Sequence, residues 1–131
     1  MTSYHRVMVK RCIAIALVAA CGSGGGSTTV DAAPDVAATP VTELSSCPST
    51  VQATVTDTPT MFVPKMTTIG VGDVVKFEIT AEHFVLPNTL TTTDPALKVG
   101  RGQTVCFRFD VPGTYGFLCG AHGFTGTVVV D

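Results

Sequence analysis

Tryptophan is absent from this chain of 131 residues, and charge is sparse, with eight Lys and Arg, ten Asp and Glu and three His. So few basic residues exclude the Lys/Arg patches that phosphate backbones demand, and nucleic acid is not an expected partner. Long apolar runs are also missing. The N-terminal run from Cys12 to Ala20 has nine residues, whereas a membrane-spanning helix needs about 20. No window of 11 residues repeats with a helical period, which excludes a helical bundle. Methionine does not occur after Met66, and the only histidines beyond His5 are His83 and His122.

What is present begins with an export signal. Arg6, Lys10 and Arg11 precede the short apolar run, and small residues follow it; this is the layout of a secretory signal over residues 1–20. Leu17-Val18-Ala19-Ala20-Cys21 resembles a bacterial lipobox, with Cys21 as the lipidated first residue of the mature chain. An ordinary cut near Ala20 is the other reading; the Gly/Ser stretch directly after Cys21 favours the lipoprotein. Loss of residues 1–20 removes three basic residues and no acid, leaving five basic against ten acidic, a net charge of −5. That charge permits a partner with a basic docking face.

Residues 22–46 are Gly/Ser-rich and then an Ala/Pro/Asp/Thr mixture, too poor in large apolar side chains to offset their ordering entropy. They are expected to be a tether with a reach of roughly 25–30 Å. A lipidated Cys21 would hold the following domain at the membrane of the cell envelope, on the periplasmic side, through the lipid alone.

The folded domain is expected over residues 47–131. Val75, Phe77 and Ile79 alternate with Lys76 and Glu78; Val105, Phe107 and Phe109 share one face; so do Tyr115, Phe117 and Cys119. Val128, Val129 and Val130 close the chain. Turns fall at Gly70-Val71-Gly72-Asp73, Leu86-Pro87-Asn88, Val99-Gly100-Arg101-Gly102 and Val111-Pro112-Gly113. Short strands at this spacing predict an all-β antiparallel sandwich. A domain this small calls for an internal staple.

Of the five cysteines, Cys12 leaves with the signal and Cys21 carries lipid, so Cys47, Cys106 and Cys119 remain. An odd number in an exported domain leaves one free, ligating or intermolecular. Cys106 faces away from its Phe neighbours and Cys47 precedes the first expected strand. A Cys47–Cys106 disulfide suits an oxidising compartment; two separate thiols are the alternative. Metal ligation would explain why Cys119 stays unpaired.

Cys119 and His122 are three residues apart where a strand runs into a Gly-rich loop, and His83 ends another strand. Singly, each is more often a core or satisfied polar residue than a ligand. Together, one thiolate and two imidazoles are the His₂Cys set of blue-copper electron-transfer sites. In order along the chain stand Phe62-Val63-Pro64, Gly72-Asp73-Val74-Val75, His83, Leu97 to Thr104, Phe109 to Tyr115, Phe117 to His122 and Gly126-Thr127-Val128. This ordered set resembles the cupredoxins of the plastocyanin/azurin type and spans almost the whole domain. The resemblance implies a Greek-key β-sandwich or barrel, one copper ion cycling between Cu(I) and Cu(II), His83, Cys119 and His122 as equatorial ligands, and no enzymatic activity.

Two positions depart from that family. Its axial Met is missing. Anchoring on Gly126-Thr127-Val128 puts Phe124 in the Met position, and counting from His122 puts Thr125 there. Such a site is expected to be three-coordinate, with a raised potential. The Asn that usually follows the first His is Phe84 here, so the bracing of the ligand loops must differ. Gly120, Ala121, Gly123, Phe124, Leu86 and Pro87 are expected to surround the His122 edge and let a redox protein approach. The competing function is copper binding or storage without fast redox exchange. An enzyme needs more: two histidines cannot build further copper centres, and no fourth protein ligand or catalytic acid for zinc is evident.

Overall fold

The computed structural model describes residues 39–131. The signal segment, Cys21 and most of the expected tether lie outside the described residues. Nine strands form two sheets, with no helix among the described residues. One sheet contains β1 (Val41–Leu44), β7 (Thr104–Phe109), β5 (Val74–Glu78), β2 (Ala53–Asp57) and β3 (Phe62–Val63) in that spatial order. The other contains β4 (Met66–Ile69), β9 (Thr125–Val130), β8 (Gly113–Cys119) and β6 (Val85–Pro87).

The alternating residues meet between the sheets. Val75, Phe77, Phe107, Phe109, Phe117 and Cys119 are each fully buried. Phe77 packs edge-to-face on Phe107 at 5.6 Å and on Phe117 at 5.2 Å, and Phe62 meets Phe117 at 4.9 Å. Such pairs contribute about 0.5–1.5 kcal/mol each beyond their burial. Without tryptophan, these phenylalanines supply the bulk of the core.

The sandwich is as expected, and its sheets are mixed. Most pairs are antiparallel, but β2 lies parallel to β5 and β4 parallel to β9. The chain crosses between sheets after each of β3, β4, β5, β6 and β7. A strand that returns to its sheet after such an excursion can run in the same direction as its neighbour, which a hairpin cannot.

The boundary of the tether shifts. β1 lies within the stretch read as tether to residue 46, and pairs with β7 from Val41↔Phe109 to Leu44↔Cys106. Val41 is buried in the core. One apolar anchor on an edge strand suffices here because β7 supplies the ladder; the composition around it carries no such signal. Cys47, just beyond β1, forms a disulfide with Cys106, their Cα atoms 5.2 Å apart. This is the staple across 59 residues of sequence. Asp73 is the turn residue its context suggests, its Oδ2 accepting from Gly70 N–H at 2.8 Å.

Candidate metal centre

The β8–β9 connection makes one end of the sandwich. Cys119 is the last residue of β8, opposite Val85 of β6, and its side chain is fully buried. The loop after it folds tightly back on itself. Gly123 N–H donates to Cys119 O at 2.8 Å, and Cys119 N–H donates to Phe124 O at 2.8 Å. Gly123 holds φ at +75°, a conformation glycine adopts without cost. This turn places His122 over Cys119, with Sγ and Nδ1 3.7 Å apart.

His83 arrives from the loop before β6 and is 2 % exposed, while His122 is exposed. The two imidazoles lie 4.9 Å apart at 77°. One ligand atom from each of His83, Cys119 and His122 falls within 4.8 Å of the others. Among the described residues no other group of His, Cys, Asp or Glu is assembled this way. The Cys119–His122 spacing fits a shared ion: with bonds of about 2.0 Å to nitrogen and 2.3 Å to sulfur, a trigonal angle separates the two donors by roughly 3.7 Å. One thiolate and two imidazoles are also the soft set that suits copper. None of these three ligand atoms is a carboxylate oxygen, so the group offers one sulfur and two nitrogen donors.

Phe124 and Thr125 separate clearly. Thr125 begins β9 opposite Leu118 and is exposed. Phe124 is half-buried and stands beside both imidazoles, 5.2 Å from the His83 ring at 78° and 6.2 Å from the His122 ring in a parallel stack. It also meets Phe62 edge-to-face at 4.7 Å.

The loops are braced without asparagine. Gly120 N–H donates to Phe84 O at 3.1 Å, tying the two ligand loops through backbone. The Phe84 ring lies so close to Gly120 that a Cβ there would overlap it. Arg101 sits over that ring, 4.9 Å from the centroid, and donates to Glu82 O at 2.6 Å. A guanidinium clamp and an aromatic plate thus hold the segment that carries His83.

One residue of the site has no counterpart in the sequence reading. Asp57, at the end of β2, hydrogen-bonds His83 Nδ1 through Oδ2. Its carboxylate also accepts from Thr80 N–H at 2.9 Å and Thr80 Oγ1–H at 2.6 Å. Its side chain is 0 % exposed. Burial pushes the carboxyl up; the hydrogen bonds from Thr80 and His83 and the His83 charge outweigh it, and the group sits below the ordinary carboxylate value. In Thr56-Asp57-Thr58-Pro59 an aspartate before Thr-Pro looks like a turn residue, and nothing local links it to a histidine 26 residues away.

This combination of a two-sheet β-sandwich and a His–Cys–His group at one end, with Cys119 and His83 buried and His122 exposed, is that of the cupredoxin fold. The solved structures bear this out. A reduced variant of amicyanin matches with a TM-score of 0.58 at 21 % identity, over 70 % of this chain and 99 % of that one. An oxidised amicyanin variant matches with a TM-score of 0.58 at 23 % identity, over 70 % and 99 %. The Cu-containing nitrite reductase of Thermus scotoductus SA-01 matches with a TM-score of 0.50 at 26 % identity, over 60 % of this chain and 22 % of that one. No protein-family model and no curated protein matches the sequence. The described residues have the cupredoxin fold, in a form like that of amicyanin.

Proposed function

We propose that this chain is a copper-binding electron-transfer protein, with a type 1 site made by His83, Cys119 and His122 and with Phe124 standing where an axial ligand would be. The observation that carries the reading is the convergence of three ligand atoms within 4.8 Å at one end of a cupredoxin sandwich. Bound copper would supply a one-electron couple between Cu(I) and Cu(II). The protein's part is to keep the three donors in one place for both oxidation states. The sandwich does this by burying Cys119 and His83 and bracing their loops through Gly120, Phe84 and Arg101. Phe124 offers no lone pair, so the site is three-coordinate.

Electrons pass at the His122 edge. His122, Gly120, Ala121 and Gly123 are exposed, and Leu86 is 36 % exposed. Small and apolar groups there let a redox protein come close to the imidazole. The chain acts in the cell envelope, exported by residues 1–20 and held to the membrane by lipid on Cys21, with no nucleic-acid partner. Both histidines beyond the signal belong to this one site, which supports a single-copper carrier rather than a multi-copper enzyme.

Voltammetry of the copper-loaded chain tests the proposal. The expected result is one copper per chain and a reversible one-electron wave with fast exchange. A protein that binds copper yet resists oxidation of its Cu(I) form would be a storage protein, and the electron-transfer reading would fail.

A further inference from the structure

We propose that the outward face of the β4–β9–β8–β6 sheet, continuous with the His122 edge, is a docking surface for a redox protein whose own contact face is uncharged. This deepens the electron-transfer reading above and rests on it. Charge is divided unevenly between the two sheets. Strands β1, β2, β5 and β7 carry Glu43, Asp57, Lys76, Glu78 and Arg108. Strands β4, β6, β8 and β9 carry no Lys, Arg, Asp or Glu at all. Alternation turns Ile69, Tyr115, Phe117 and Val128 inward, where they are buried. It leaves Thr68, Thr114, Thr127 and Val129 on the outward side, with Leu86 and Leu118 as a cross-strand pair. Leu86 reaches the loop that carries His122: a Cβ on Gly120 would lie 2.9 Å from its Cδ1. Charged residues border this face rather than occupy it. Lys65 directly precedes β4, Asp110 stands shortly before β8 and Asp131 follows β9. Lys98 adjoins Val99, the bridge partner of Val85, and Arg101 lies with Glu82 on the His83 side of the site.

A charge-poor centre inside a polar rim is the compositional mark of a protein contact surface. One side chain projects from it. Leu90 is 92 % exposed, on a loop that is fixed to β8: Asn88 N–H donates to Gly116 O at 3.0 Å, and Gly116 N–H donates to Thr92 O at 2.9 Å. An apolar side chain held in water on a fixed loop is an anchor for a partner. Burying half of it on contact is worth about 3- to 10-fold in affinity. The size of the face decides what kind of partner it suits. Its four strands, five residues long on average, lie about 4.8 Å apart with a rise of about 3.3 Å per residue, and so cover roughly 300–400 Å². A stable complex buries about 800 Å² on each partner. The smaller area suits the brief encounters of redox proteins, which lie at the low end of interface size, and not a permanent dimer. A basic partner finds no acid on this face to pair with. The net charge of −5 beyond the signal therefore acts in long-range steering and not in the contact.

The probe is a second copy of this chain, which carries the same uncharged face. Reduced and oxidised copper-loaded chains are mixed, and NMR line broadening reads the rate of electron self-exchange. One electron passes from the reduced copy to the oxidised copy, and no other reactant is needed. The wild-type rate is expected to change less than about threefold between about 10 and 500 mM salt, although the two copies carry like net charge. Thr127→Glu and Thr127→Lys, at the centre of the face, are both expected to slow exchange about tenfold at low salt, because either one sets like charges against each other across the contact. Net charge alone would make one variant slower and the other faster. Thr42→Glu, on β1 of the other sheet, changes net charge as Thr127→Glu does and is expected to leave the rate within about twofold. Leu90→Ser is expected to slow exchange about 3- to 10-fold at every salt concentration. Opposite effects of the two Thr127 variants, an unchanged rate in both, or a stable dimer in sedimentation overturns the proposal. If wild type shows no reversible one-electron wave, the electron-transfer reading fails, and amide chemical shifts on dilution of the metal-free chain decide whether this face docks protein. Shifts confined to β4, β6, β8, β9 and Leu90 uphold the docking surface, and their absence overturns it.

Discussion

Replacing Phe124 by methionine offers a thioether to the proposed three-coordinate copper site. The ring has room to be exchanged: it is half-buried, and its neighbours are Phe62 at 4.7 Å and His83 at 5.2 Å. Two edge-to-face contacts are lost, at about 0.5–1.5 kcal/mol each. A near volume-conserving swap adds under about 1.5 kcal/mol. These are sums that a domain of ordinary stability, about 5–15 kcal/mol, survives. Sulfur donation stabilises Cu(II) more than Cu(I). Each tenfold preference lowers a one-electron midpoint by about 59 mV, and a weak axial contact corresponds to one such step. Phe124→Met is therefore expected to lower the midpoint by about 60 mV in voltammetry of copper-loaded variant and wild type side by side, with near-ultraviolet circular dichroism showing the fold retained. A midpoint that stays put or rises in a folded, copper-loaded variant refutes the reasoning about the axial position.

Breaking the staple with Cys47→Ala and Cys106→Ala together is expected to cost about 2–4 kcal/mol in urea denaturation, because it frees a loop of 59 residues in the unfolded chain; an unchanged midpoint of unfolding contradicts this. Tyr115 tests the far end of the sandwich. Its phenol is pushed above its ordinary value by burial and by the negative Asp94, and its hydroxyl donates to Val111 O at 2.8 Å. A raised folded value means the folded chain holds this proton longer than the unfolded chain. Its stabilisation is full below pH 10 and is lost as pH rises through the folded value. Tyr115→Phe is expected to cost about 0.5–1.5 kcal/mol at pH 7. As pH rises above 10 the wild type should then lose stability relative to the variant, and parallel stability curves would show that the phenol does not titrate on unfolding.

The legible parts of the fold are those where alternation is strong. β5, β7, β8 and β9 follow the Val75/Phe77, Phe107/Phe109, Tyr115/Phe117 and Val128/Val130 patterns, whose members are all buried. β1, β2 and β4 are rich in Thr and short, and their partners decide them. Val41 and Val55 become core only because β7 and β5 lie beside them. Parallel pairing was not legible, since it depends on crossings between sheets that no local pattern encodes. Within the site, Cys119 and His122 announce themselves by their spacing, and His83 by the scarcity of histidine. The structure brings all three together and places Phe124, not Thr125, beside both imidazoles. Asp57 and Arg101 stayed hidden because each acts across the fold, on His83 and on the Glu82–Phe84 segment, from positions that read as ordinary turns.

The central claim is that Cys119, His83 and His122 hold one copper ion through a thiolate. Adding Cu(II) to the purified metal-free chain and recording its visible spectrum tests this directly. The account predicts an intense thiolate-to-copper charge-transfer band that saturates at one equivalent and is abolished in Cys119→Ala. A colourless product from the wild-type chain, or a band that persists in Cys119→Ala, would contradict it.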